Sequence, residues 1–198
     1  MPLGALVAGL LGRADVARWR VPDSLDPAWE ERTRLIAELV PDGSRVLEFG
    51  AGRARLAAYL DESCSYVPSD LVRRGPDTLV LDLNAQPLPD PSRIDADTAV
   101  FAGVLEYLSR VPRVVRWLAG WAQTCIASYE CATTSRWTPA RAGERLVRAH
   151  LGWINAYSQH ELERVFLSAG FAGGIARVWH TPEGDEPIFV FHRRPKPG

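Results

Sequence analysis

The chain is nearly without lysine, Lys196 standing alone among 23 basic residues, and it carries no surplus of either sign, the formal net charge being -1. Nothing in the composition therefore draws the whole molecule toward nucleic acid or an anionic membrane. Cysteine is scarce and odd in number (Cys64, Cys125, Cys131), and the four histidines are scattered, so neither a disulfide framework nor a zinc site is indicated and no metal is expected. A reducing, cytoplasmic setting follows as the default. Long hydrophobic runs are missing too: the apolar opening MPLGALVAGLLGR is too short to span a bilayer and lacks the basic start of a signal peptide. Internal repeats, low-complexity tracts and long linkers are likewise absent. What remains is a chain of 198 residues, near the usual size of one domain and suited to a small or locally recognised partner.

Residues 1–26 read as an N-terminal arm and 27–198 as a single domain. The segment DPAWEERTRLIAELVPDGS opens on Asp-Pro, carries Trp29, Leu35, Ile36, Leu39 and Val40, and closes on Pro-Asp-Gly, which predicts a helix with start and stop signals. Next, Arg45-Val46-Leu47-Glu48-Phe49 runs into Gly-Ala-Gly and then RARLAAYLDE, the pattern of strand, tight turn and helix. SYVPSD, DTLVLDL, DTAVFAG and TCIASYE read as four further strands, and VLEYLSRVPRVVRWLAGWAQ has helical spacing between the last two. Apolar strands alternating with helices predict a parallel sheet covered on both faces. In the tail, SQHELERVFLSAGF is an amphipathic helix with Ser158 as cap and Glu161 as its capping-box partner, and GIARVWHTPEGDEPIFVFHR reads as two strands joined by a Pro-Gly loop. The expected fold is α/β: a doubly wound, seven-stranded, mostly parallel sheet closed by a C-terminal antiparallel pair.

Gly50 and Gly52 stand at the first strand-to-helix turn, where an open parallel sheet binds its ligand and where a missing Cβ lets the ligand meet the backbone. A dinucleotide fingerprint asks for a third glycine where this chain has Arg55, and a P-loop asks for a Gly-Lys-Ser or Gly-Lys-Thr that does not follow. Asp70, at the end of the second predicted strand, is placed to accept hydrogen bonds from both hydroxyls of a ribose. Asp82 closes the third strand, and Ala102 and Gly103 are small residues at the end of the fourth.

In order and spacing, VLEFGAG, the SD at Asp70, LDLNAQPLP, DTAVFAGVLEYL and AYSQHELERVFLSAGF resemble the class I S-adenosylmethionine-dependent methyltransferases over about residues 27–192. The resemblance implies S-adenosylmethionine as cofactor, with Glu48, Gly50, Ala51 and Gly52 around its methionine part, Asp70 on the ribose, Asp82 and Leu83 at the adenine, and Ala102 and Gly103 along the approach to the methyl sulfonium. Two departures stand out. Ala54 replaces a third alternate glycine, a mild change if its backbone is helical, and Tyr107 replaces a histidine that many members carry, so no histidine base transfers to that position.

The stretch 132–157 is the least regular and reads as a substrate-facing insertion, a mobile wall over the acceptor, with a fixed wall as the alternative because the run AGERLVRAH within it is helical in pattern. Its end, HLGWINAY, mixes aromatic and polar groups: Trp153, Asn155 and Tyr157 are candidates for substrate contact together with Glu130, while Tyr107 and His150 are the candidate catalytic groups. Glu106 reads first as a carboxylate favouring a helix dipole. The leading expectation is methyl transfer to an oxygen, nitrogen or carbon of a small metabolite. The alternatives are a non-catalytic binding or scaffold subunit on the same fold and a nucleotide-dependent oxidoreductase. Nucleic acid is not expected as a partner, because no basic stripe interleaved with aromatics is present.

Overall fold

In the computed structural model, which describes residues 29–133, 139–182 and 184–195, a single sheet is built from β1 (Arg45–Phe49), β2 (Ser65–Asp70), β3 (Leu79–Val80), β4 (Thr98–Ala102), β5 (Thr124–Ser128), β6 (Phe171–Thr181) and β7 (Gly184–Arg193). The order across it is β3-β2-β1-β4-β5-β7-β6. Strands β1 to β5 pair in parallel, and β7 runs antiparallel to both β5 and β6. The chain steps outward from β1 through β2 to β3 and then returns to the other side of β1 as β4. That reversal opens a crevice at the carboxyl ends of β1 and β4. The arm proposed for residues 1–26 lies outside the described residues.

Successive strand residues point to opposite faces, and here each face has its own core. Leu47 and Phe49 of β1, Ala99 and Phe101 of β4, Cys125 and Ala127 of β5 and Phe189 and Phe191 of β7 share one layer. Val46, Val100, Ile126 and Ile188, drawn from the same four strands, belong to the other. The first layer is covered by α2 (Val111–Leu118) through Val111, Val114, Val115 and Leu118 and by α4 (Gln159–Ser168) through Leu162 and Phe166. The second is covered by α1 (Trp29–Ala37) through Ile36 and Ala37. Helices on both faces of a mostly parallel sheet make the fold doubly wound, as expected. The capping box of α4 is present, Glu161 accepting from the Ser158 backbone amide at 2.9 Å.

Local structure departs from expectation in three places. RARLAAYLDE forms only a 3-10 turn, Arg55–Ala58, because the backbone enters it left-handed, with Ala54 at φ 53 and ψ 36. DTLVLDL pairs over Leu79–Val80 alone: β3 is a sheet edge with one neighbour, and both side chains are exposed. The stretch 132–157 is less irregular than its composition predicts, since Pro139–His150 forms an α-helix, α3. Trp137 and its neighbours 134–138 lie outside the described residues. Among the described residues no helix is long and apolar enough to cross a membrane, and no group of three or more His, Cys, Asp or Glu is placed to hold a metal ion.

Candidate active site

The crevice at the switch point deepens into a cavity of about 1270 Å³. Its floor is the carboxyl ends of β1, β2 and β4; its walls are α1, the loop after β3, the turn Leu105–Tyr107, Trp153 and the β6–β7 hairpin.

At one end lie all nine residues assigned to cofactor binding: Glu48, Gly50, Ala51, Gly52, Asp70, Asp82, Leu83, Ala102 and Gly103. Gly50 has φ +65, and a Cβ there would meet Val104 Cγ2 at 2.6 Å, so the turn tolerates no side chain even before a ligand arrives. Asp70 is buried and fixes this turn from below: its Oδ2 accepts from the Gly52 amide at 3.1 Å and its Oδ1 from the Val72 amide at 3.2 Å. Arg74 adds a third donor at 3.4 Å. Asp82 closes an Asx turn onto the Asn84 amide, while Leu83 is buried beside it. Glu48 is 4% exposed. Burial pushes its carboxyl up to about 7, against the hydroxyl of Tyr66, which donates to its Oε2, and the charge of Arg32.

Arg32 is the largest feature that sequence reasoning missed. It is 6% exposed, donates to Glu186 Oε1 at 3.1 Å and to the Ala102 carbonyl at 3.4 Å, and lies 5.3 Å from the ring centroids of both Trp29 and Trp179. The guanidinium sits directly over Gly103, where a Cβ would come within 2.7 Å of Nη1. The one available signal was its spacing, a full turn before Ile36 and so on the buried stripe of α1. Glu186 and Trp179 come from the hairpin, whose reading as an antiparallel pair gave no hint that it walls the cavity.

At the other end, Tyr107, Glu130 and Trp153 line the cavity, with the Trp153 indole donating to the Tyr107 hydroxyl at 3.1 Å. Glu106 lines it as well: it is 2% exposed, and its Oε1 accepts from the Glu130 amide at 2.9 Å. Three candidates do not line the cavity, which corrects the expectation for each. His150 is exposed at the end of α3, turned away from the cavity by the helix that carries it. Asn155 braces the scaffold, accepting from the Tyr129 hydroxyl at 2.7 Å and donating to the Leu105 and Leu108 carbonyls at 2.7 and 2.9 Å. Tyr157 packs against the core, its amide donating to the same Tyr129 hydroxyl at 2.7 Å. The buried Arg148 binds α3 to this wall, 4.7 Å from the Trp153 ring and donating to the Glu130 carbonyl at 2.7 Å.

The residues at the first end fit S-adenosylmethionine: glycines leave the backbone open at the turn, and a buried carboxylate faces the same space. A family model described as a methyltransferase domain matches residues 24–173. No curated protein matches the chain by sequence. Among solved structures, the 1,6-didemethyltoxoflavin-N1-methyltransferase of Burkholderia thailandensis, solved with S-adenosylhomocysteine, is 14% identical with a TM-score of 0.59, over 86% of this chain and 80% of that one. The Synechocystis magnesium protoporphyrin IX methyltransferase, also with S-adenosylhomocysteine, is 14% identical with a TM-score of 0.55 over 83% of each chain. The mitomycin 7-O-methyltransferase is 16% identical with a TM-score of 0.57 over 96% of this chain, which spans only 66% of that enzyme's length. At such identities the likeness is one of fold, and the match across most of the sequence supplies the family. The chain belongs to the methyltransferase-domain family and, by that match and its sheet order, to the class I S-adenosylmethionine-dependent methyltransferases.

Proposed function

We propose that this chain methylates an oxygen, nitrogen or carbon atom of a small metabolite. The observation that carries the reading is the continuity of one cavity from Asp70 and Leu83, past Gly103, to Trp153 and Trp179. At about 1270 Å³ it exceeds the roughly 300–1,000 Å³ of a site for one drug-sized ligand, which leaves room for a nucleotide and a second molecule together. In this reading Glu48, Gly50, Ala51 and Gly52 hold the methionine part of the cofactor, Asp70 the ribose, and Asp82 and Leu83 the adenine. Ala102 and Gly103 border the approach to the second molecule.

When bound, S-adenosylmethionine supplies a methyl group on an already activated sulfonium. The protein's work is then mostly positioning, because a nucleophile held in line at about 3 Å gains most of what catalysis needs. Trp153 and Tyr107, joined by their hydrogen bond, form the wall that orients the acceptor and keeps water out, with Glu130 at the rim. Calorimetric titration with S-adenosylhomocysteine and with NAD tests the reading. Binding of the first with a Kd near or below about the micromolar range, some 8 kcal/mol, and none of the second is expected. NAD binding alone would favour an oxidoreductase, and binding of neither would leave a scaffold.

A further inference from the structure

The acceptor end of the cavity contains a hydrogen-bond acceptor that nothing among the described residues satisfies. Glu106 is almost fully buried, and its Oε2 has no partner. The two buried guanidiniums of this region are engaged elsewhere. Arg32 donates through Nη1 and Nη2 to Glu186 and to the Ala102 carbonyl, and only its Nε has no partner among the described residues. Arg148 donates to the carbonyls of Asn155 and Glu130 and to the Tyr129 hydroxyl. The Glu130 amide serves Oε1 of Glu106, and Oε2 is left over. Around it stand three carboxyl groups, Glu106, Glu130 and Glu186, against two guanidiniums, Arg32 in the cavity lining and Arg148 behind it. A buried acceptor without a donor is costly, and the carboxyl group in excess favours a cation.

We propose that the methyl acceptor is an amine, bound through N–H donation to Glu106, which removes the ammonium proton onto Oε2 and leaves a neutral nitrogen lone pair. This rests on the methyltransferase reading and narrows it. An alcohol or phenol satisfies one acceptor but brings no charge to the three carboxyl groups. An ammonium brings both. The proton balance closes within the site: the acceptor's N–H bond breaks, the Glu106 O–H bond forms, and the proton later passes to water. The groups facing Glu106 are Glu186 from β7, Arg148 from α3, and Tyr129, Glu130 and Cys131 after β5. Burial and Glu186 push its carboxyl up to about 7, partly offset by the Glu130 amide and by Arg148.

The test is calorimetry on the full chain saturated with S-adenosylhomocysteine, using tryptamine and phenethylamine as probes and tryptophol and 2-phenylethanol as matched alcohols. Saturation itself checks the underlying reading: failure to bind S-adenosylhomocysteine sinks that reading and this inference together. With saturation reached, the amines should bind at least about tenfold more tightly than the alcohols. Near about pH 6, where Glu106 holds its proton, binding of an amine cation should release a proton to the buffer, detectable as a dependence of the heat on buffer ionisation enthalpy. Glu106→Gln should abolish both the preference and the release while keeping its affinity for S-adenosylhomocysteine. Equal binding of amines and alcohols overturns the inference alone, as does an unchanged amine preference in Glu106→Gln. If the unpartnered oxygen serves the sulfonium instead, Glu106→Gln weakens S-adenosylmethionine but not S-adenosylhomocysteine and no amine preference exists, which also overturns it. Should that variant fail to fold, the amine preference and the proton release of the wild-type protein decide the matter.

Discussion

Ala54 shows how one residue's backbone decides whether a departure from a family pattern is mild. Its sequence position suggested the start of a helix, but its φ of 53 places it in the left-handed region, where a Cβ costs roughly 1–2 kcal/mol. Ala54→Gly should therefore stabilise the protein. The relief exceeds the roughly 0.4–1 kcal/mol of extra chain entropy that glycine brings to the unfolded state, and urea denaturation should show a net gain; a loss would contradict the strain. Asp70 and the two glycines were legible as cavity residues because strand ends and the first strand-to-helix turn recur in a fixed order along the chain. Asp70 also holds the Gly52 and Val72 amides, so its removal acts twice. Asp70→Ala should lower the melting temperature and weaken S-adenosylhomocysteine at least about tenfold, since each hydrogen bond to a charged group contributes roughly 1.5–3 kcal/mol. An unchanged Kd by calorimetry would reject the ribose assignment. Glu48 was legible as a residue of the strand end that lines the cavity but not as a titrating one, because its burial comes from neighbours distant in sequence. Its carboxyl is raised from 4.5 to about 7, so the folded state binds the proton more tightly than the unfolded state. The stability this contributes is complete below about pH 4.5 and is lost as the pH rises through about 7, at roughly 1.4 kcal/mol for each tenfold difference in proton affinity between the two states. Glu48→Gln should flatten the fall in melting temperature across that window; an unaltered slope in scanning calorimetry would contradict the burial argument.

At the scale of elements, the cavity wall depends on a clamp between α1 and β7 that no local pattern announces. Arg32 and Glu186 are separated by most of the chain and have side chains 7% and 13% exposed. Removing one partner of a buried pair costs roughly 3–5 kcal/mol because the remaining charge is left uncompensated. Arg32 keeps the Ala102 carbonyl and two indole faces, so Glu186→Ala should fall near the lower end, about 3 kcal/mol by chemical denaturation. A loss below about 1 kcal/mol would mean that the pair is effectively solvated. The well-patterned elements were read correctly where their apolar periodicity feeds a core: β1, β4 and β5 are buried along nearly their whole length. The readings failed where a neighbour, not the pattern, sets the length. β3 is short because nothing pairs with its outer edge. α3 extends over Pro139–His150, beyond the run AGERLVRAH that carried the helical pattern. The Trp153 contact of Arg148 then fixes which way that helix faces, leaving His150 exposed and outside the cavity.

For the molecule as a whole, the alternation of strand and helix, the glycine turn after β1 and the antiparallel tail together implied the kind of sheet that is observed. The cofactor half of the candidate site followed from that order, since it is built from strand ends at the switch point. The acceptor half did not, because α1, the hairpin and the turn at Glu106 converge there from segments with no shared motif. In the proposed arrangement one cavity holds the cofactor with its ribose on Asp70 and its sulfur toward Gly103, beside an acceptor wall of Glu106, Tyr107 and Trp153. A crystal structure of the chain with S-adenosylhomocysteine tests it most directly. Both ribose hydroxyls should lie within about 3 Å of the Asp70 carboxylate, with adenine beside Leu83 and the sulfur over Gly103. Density for the nucleotide in the smaller cavity beside Arg53, Pro68 and Thr78, or with its ribose away from Asp70, would contradict it.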